Sequence, residues 1–131
     1  YAGTGSANMI EFNNANGNIG KINGNGSNTS YITSSDYRLK ENASAISDGI
    51  TRIKSLKPYR FNFKTEPSVT QDGFFAHEVS SVVPIAVFGD KDATKEDGSI
   101  DPQGIDHSKL VPLLVAAVQE LITKVETLES A

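Results

Sequence analysis

Three side chains able to do acyl-transfer chemistry stand close together in one short stretch, Ser34-Ser35-Asp36-Tyr37-Arg38-Leu39-Lys40-Glu41-Asn42. Ser35 offers a hydroxyl, Asp36 a carboxylate, and Lys40 an amine five residues on. A serine hydroxyl is a weak nucleophile at neutral pH and needs a base beside it. An ordinary lysine titrates at about 10.4, so it serves as that base only where burial or a nearby positive charge favours the neutral amine. Arg38 is such a neighbour in sequence, and an interface between chains is such a dry place. A bent chain brings the amine of residue 40 back to the hydroxyl of residue 35. The chemistry on offer is attack on a peptide carbonyl of the chain itself. Ser34, Arg38 and Glu41 are the candidate supporting groups at hand. His77 is a further candidate for support, although neither it nor His107 falls in a recognisable triad pattern.

These residues sit on a sharp border. Before it, large apolar side chains are few: Tyr1, Met9, Ile10, Phe12, Ile19, Ile22, Tyr31 and Ile32. They are spread among asparagines and Gly3, Gly5, Gly17, Gly20, Gly24 and Gly26. Short β-prone pieces broken by Asn-Gly predict strands joined by tight turns, because Asn and Gly tolerate positive φ. Alternation is clearest at Ile10 and Phe12. Such strands bury too little to stand alone, so this segment is expected to share a thin core with partner chains, as the end of a fibrous β-structure. A disordered glycine-rich linker is the plainer alternative. The pair Gly24-x-Gly26 lacks the rest of a dinucleotide fingerprint.

After the border the composition becomes that of a mixed α+β domain. Ile46, Ile50, Ile53 and Leu56 share one helical face over residues 42–56, with Asn42 or Ser44 as cap and Pro58 as the stop. Tyr59 to Lys64 alternates aromatic and polar residues, the pattern of a strand with one buried face, and Gly73 to Ala76 predicts a second strand of a hairpin. A short helix over Glu78 to Val83, ended by Pro84, and a strand over Ile85 to Phe88 follow. Residues 90–101 read as a solvated acidic loop facing the basic stretch 38–64. Its acids resemble a calcium loop only superficially, since Lys95 holds the place where the sharp turn needs glycine, and no metal site is expected.

From Ser108 to near the end the sequence predicts one helix. Val111, Leu114, Val118, Leu121, Val125 and Leu128 alternate spacings of three and four, which is an a/d seam for self-association. Leu110, Leu113 and Ile122 widen the stripe near its start and are expected on the globular body. Valine at a with leucine at d favours two strands on its own.

Composition removes several function classes. A net charge of −4 argues against nucleic acid as the main partner. The chain has no cysteine, so no thiolate chemistry or disulfide framework exists. No apolar run is long enough for a membrane span, and no secretory leader begins the sequence. A carbohydrate-active cleft would need paired carboxylates, yet the acids crowd into one loop. The first residue is Tyr1, and the sequence reads as the C-terminal piece of a longer protein.

Four blocks in order carry a resemblance: Ser-Asp-Tyr-Arg-Leu-Lys-Glu-Asn from Ser35, Leu-Lys-Pro-Tyr-Arg-Phe-Asn-Phe-Lys from Leu56, Gly-Phe-Phe-Ala-His-Glu-Val from Gly73, and Asp-His-Ser-Lys-Leu-Val-Pro-Leu-Leu-Val-Ala-Ala-Val-Gln-Glu-Leu from Asp106. Residues 34 to about 128 resemble the intramolecular-chaperone autoprocessing domain that closes phage tail spikes, tail fibres and neck appendages, with a relative in myelin regulatory factor. The resemblance implies a homotrimer: two identical chains are the partners, together with the upstream fibre segment of the same polypeptide. It implies a domain border at residues 35 and 36, a trimerisation helix over 108–130, and a virion fibre precursor assembled in the host cytoplasm, with the released domain absent from the mature virion. It implies no cofactor, nucleic acid or membrane. The implied reaction is autoproteolysis by the dyad Ser35 and Lys40, with Ser35-Asp36 as the scissile bond. Ring size leaves the bond open. Ser35 attacking its own carbonyl closes a four-membered ring, and attacking the carbonyl of Ser34 closes a five-membered one. Either a neighbouring serine attacks, or the bond is Ser34-Ser35. A non-cleaving trimeric or receptor-contacting tip is the alternative function.

Overall fold

The computed structural model describes residues 3–131. The chain divides into two compact units, Tyr1–Ser44 and Ala45–Ala131.

The first unit is a three-stranded antiparallel meander of β1 (Ala7–Asn14), β2 (Gly17–Gly24) and β3 (Thr29–Thr33). The β1-β2 turn closes at Asn14↔Gly17, where Gly17 takes φ +99°, a value that glycine adopts without steric cost. Ile10 pairs with Ile22 and Phe12 with Gly20, so the apolar pieces of the sequence do meet across the sheet. Only Gly20 and Gly24 of this sheet are buried, while Met9, Ile10, Phe12, Ile19, Tyr31 and Ile32 remain exposed. A sheet with both faces this open has no core of its own within one chain.

The second unit packs its helices around a small core. The elements are α1 (Gly49–Ser55), the hairpin β4 (Tyr59–Asn62) and β5 (Thr70–Gly73), α2 (Ala76–Ser80), the short ladder β6 (Val87–Phe88) and β7 (Gly104–Ile105), and α3 (Val111–Glu129). Val79, Val83, Ala86, Leu110 and Leu113 form the core, with Ile53, Leu56, Phe74, Val82, Val87 and Ile105 packed on it.

The helix expected from residue 42 is shorter than its periodicity. It begins at Gly49, Asn42 takes φ 52° instead of capping, and no regular helix or strand lies between Lys40 and Gly49. Asp48 at its N-cap makes no side-chain cap bond. The cap comes from α3, where Glu120 accepts the Gly49 N–H at 2.6 Å and the Ile50 N–H at 3.3 Å. A Cβ on Gly49 would stand 2.6 Å from the Ala117 nitrogen and 2.9 Å from the Ala116 carbonyl carbon, so this contact tolerates only glycine.

Other boundaries also move. The second hairpin strand runs over Thr70–Gly73, which precedes Phe74 and Phe75, and Gly73 leaves room for the Phe61 ring, 3.0 Å from where its Cβ would be. The helix expected at Glu78 to Val83 spans Ala76–Ser80, and Pro84 to Ala86 form a 3-10 turn where a strand was expected. The acidic loop is exposed and is closed by the Thr94↔Ile100 bridge. Residues of the basic stretch take other partners: Arg38 pairs with Asp36, Arg52 with Asp48, Lys57 with Glu78 and Arg60 with Asp72.

The last helix follows a 3-10 turn over His107–Leu110, and Pro112 lies in its first turn, where its missing N–H costs nothing. Its two faces have different fates. Leu110, Leu113, Ala116 and Ala117 are buried on the head, whereas Val111, Leu114, Val118, Leu121 and Val125 stay 48–54% exposed and Leu128 75%. Ile122, expected on the body, is exposed as well. The seam residues therefore keep about half or more of their surface open within the single chain.

Candidate active site

Two local structures meet at Ser35. On its N-terminal side the β2-β3 pairing continues one residue past the strand: the Ser34 N–H donates to the Ile19 carbonyl at 3.1 Å and the Ser34 hydroxyl to the Asn18 carbonyl at 3.0 Å. On its C-terminal side the chain enters a 3-10 turn over Tyr37–Leu39. Asp36 is the N-cap, accepting the Arg38 N–H at 2.9 Å, which satisfies a donor that the turn leaves unpaired. The Leu39 N–H donates to the Asp36 carbonyl and the Lys40 N–H to the Tyr37 carbonyl, both at 3.1 Å. The turn reverses the chain, and the Lys40 Nζ donates to the Ser35 Oγ at 2.7 Å.

Arg38 closes a fork on the same carboxylate. Its Nε reaches Asp36 Oδ1 at 2.9 Å and its Nη2 reaches Oδ2 at 2.8 Å. The arginine side-chain bond holds the Asp36 carboxyl below its usual range, and the aspartate raises Arg38 in return. Arg38 thus spends its charge on Asp36 and the turn. The sequence reading placed it as a positive neighbour to Lys40, and its observed partner is different.

The candidates divide accordingly. Ser34, Ser35, Asp36, Arg38 and Lys40 converge in one stretch of the first unit. Glu41 follows Lys40 and is exposed. His77 lies on α2 of the second unit, its ring stacked on Phe75 with centroids 6.0 Å apart. His107 opens the turn before α3, with its ring 6.3 Å from that of Phe74. The backbone contributions of Asn18 and Ile19, which fix Ser34 on the N-terminal side of Ser35, were not foreseen. They depend on strand register, which no residue type in the sequence specifies. Among the described residues, no group of three or more His, Cys, Asp or Glu side chains is arranged to hold a metal ion.

Lys40 donates to Ser35, and to act as a base its amine must instead accept the Ser35 proton. Residues 31 to 48 are all exposed in the single chain, with Tyr37 at 82% and Leu39 at 74%. The geometry of a serine-lysine pair is present, open to solvent in the single chain.

Residues 35–88 match the peptidase S74 family model, described as chaperone of endosialidase, which is consistent with the intramolecular-chaperone domain that the sequence blocks resemble. The match opens on Ser35 and takes in Lys40, the hairpin and α2, and it ends before α3. No curated protein matches the chain.

Proposed function

We propose that this chain is a self-releasing folding chaperone for a phage tail fibre or spike: it trimerises, registers the β-structure that precedes it, and then cuts itself free with Ser35 and Lys40. The observation that carries the proposal is the 2.7 Å contact between Lys40 Nζ and Ser35 Oγ, made within one chain at the first residue of the family match.

A dyad completed within one chain favours the Ser34-Ser35 bond, because intramolecular attack on the Ser34 carbonyl closes a five-membered ring. Neutral Lys40 takes the Oγ proton as Oγ bonds to the Ser34 carbonyl carbon. The tetrahedral intermediate then collapses with loss of the C–N bond, and the Ser35 nitrogen leaves with the proton returned by the lysine. Ser34 is left as an ester on Ser35. Water hydrolyses that ester to a Ser34 carboxylate, freeing the Ser35 hydroxyl and amine. Ser34 is the right residue to have fixed, since its strand-like bonds to Asn18 and Ile19 hold the acyl group while the leaving nitrogen moves with the turn.

The association half of the proposal is supported by the exposed face of α3. Counting Val111 as a, the first two e positions are Val115 and Ile122, both about half exposed and both apolar, while the third, at the helix end, is Glu129. A seam of a, d and e residues is wider than a two-stranded coil buries, which favours three helices. A trimeric head lowers the entropic cost of bringing chains into register for a β-fibre. Its removal then leaves the fibre kinetically trapped.

The test is to express the chain alongside Ser35→Ala and Lys40→Ala and follow each by denaturing gel and intact mass. Loss of cutting in both variants supports the dyad. Cutting that persists in either one refutes it.

A further inference from the structure

Asparagine stands directly before glycine at Asn16-Gly17, Asn23-Gly24 and Asn25-Gly26. Such a step can react with itself, because the glycine nitrogen, with no Cβ to hinder it, can close a five-membered ring on the asparagine side-chain carbonyl carbon. The three steps sit in different local structures. Gly17 opens β2 and is held in the ladder opposite Asn14, and the Asn16 side-chain carbonyl has no donor on it among the described residues. Asn23 lies inside β2, with its Nδ2 donating to Asn8 Oδ1 at 3.0 Å and its Oδ1 accepting from the Ser6 hydroxyl at 3.0 Å. Gly24 after it pairs with both Ala7 and Thr29, which fixes that step in the middle of the sheet.

Asn25-Gly26 lies outside the strands, in the exposed turn that joins β2 to β3. The Asn25 N–H donates to the Asn28 carbonyl at 3.0 Å. Its side-chain Oδ1 accepts the Ser27 N–H at 3.0 Å and the Asn28 N–H at 2.9 Å. These bonds engage neither the Gly26 N–H nor Asn25 Nδ2, and among the described residues nothing else does. The attacking nitrogen and the leaving amine are therefore both free, while the carbonyl between them is polarised by two backbone donors.

We infer that Asn25 is a self-modification site, converted through Gly26 into an aspartyl or isoaspartyl residue. The Gly26 nitrogen gives up its proton to solvent and bonds to Asn25 Cγ, and the developing negative charge falls on Oδ1, where the Ser27 and Asn28 N–H groups already point. Donors in place before the charge develops lower such a barrier. The Cγ–Nδ2 bond then breaks and ammonia leaves with a proton from solvent, giving a cyclic imide. Water opens the ring at one of its two carbonyls. Opening at Cγ gives the aspartyl product, and opening at the main-chain carbonyl gives the isoaspartyl one. Each product carries one new negative charge. The isoaspartyl form also adds a methylene to the backbone and moves the acceptor of the two N–H groups into the main chain, which loosens the turn that leads into β3.

The test follows the full chain carrying Ser35→Ala in mildly alkaline buffer, folded and in urea, with tandem mass spectrometry of tryptic peptides to locate each lost ammonia and isoaspartyl methyltransferase labelling to detect the second product. In the folded chain Asn25 is expected to react roughly tenfold ahead of Asn16 and Asn23, a smaller gain than such donors give in a dry site because this turn is open to water. It is also expected to react faster than the same residue in urea, where the three steps converge. Reaction at Asn16 or Asn23 before Asn25 in the folded chain overturns the assignment. An Asn25 that reacts no faster folded than in urea overturns the assistance by the turn.

Discussion

Replacing Gly49 by alanine places a methyl group against backbone that cannot move aside. The new Cβ would lie 2.6 Å from the Ala117 nitrogen, 2.9 Å from the Ala116 carbonyl carbon and 2.8 Å from the Glu120 carboxylate. Overpacking of this kind costs roughly 1–3 kcal/mol. Displacing Glu120 from the Gly49 and Ile50 amides also removes the cap of α1, a loss of about 0.5–2 kcal/mol. The two share a contact and do not add fully, so a destabilisation of about 2–4 kcal/mol is expected. Urea unfolding in a Ser35→Ala background reads this out, with protein concentration fixed so that the proposed association contributes equally to both proteins. With a slope of roughly 2 kcal/mol per molar, the midpoint should fall by about 1–2 M. Glu120→Gln keeps an acceptor oxygen and should fall less. A Gly49→Ala midpoint within a few tenths of a molar of the parent would refute the contact between α1 and α3 as described.

Three further outcomes follow from the same geometry. Asp36→Asn removes the charge that holds Arg38 and should slow cutting on the order of tenfold or more without changing oligomer size, checked by fragment kinetics beside light scattering. Asp106 accepts from the N–H and hydroxyl of Ser108 at the start of the 3-10 turn that precedes α3, and chiefly the bond from the Ser108 hydroxyl lowers its pKa. Its folded pKa lies below its unfolded value, so its contribution is present above about pH 4 and is lost as pH falls through the folded pKa. Acid unfolding of Asp106→Asn should accordingly show a shallower loss of stability below pH 4. Val118→Asp puts a charge in the exposed seam, opposite the face that packs on the head. It should abolish association while the far-ultraviolet spectrum of the head is retained.

The sequence made some of this legible and left the rest hidden for physical reasons. Alternation at Tyr59 to Lys64 reported a real strand because its aromatic face, Tyr59 and Phe61, packs on the domain. The helix of α3 was legible because apolar residues three and four apart mark a helical face by spacing alone. The isoleucine period before Pro58 overstated α1, since periodicity does not reveal that the helix start is set by Glu120, some seventy residues downstream. Phe74 and Phe75 looked like strand residues because hydrophobic runs do not distinguish a strand from the start of a helix. At the candidate site, the dyad spacing was readable but the turn that closes it was not. Asp36 announced itself only as a reactive carboxylate, and its cap and fork with Arg38 are products of backbone geometry.

The central claim is that Ser35 and Lys40 cut the chain that carries them, and the intact mass of the purified product tests it most directly. The account predicts two pieces of about one quarter and three quarters of the chain, with Ser35 as the first residue of the larger, and neither piece from Ser35→Ala or Lys40→Ala. A larger fragment beginning at Asp36 would contradict the five-membered-ring route, and a trimer that stays whole in the wild-type chain would contradict self-release.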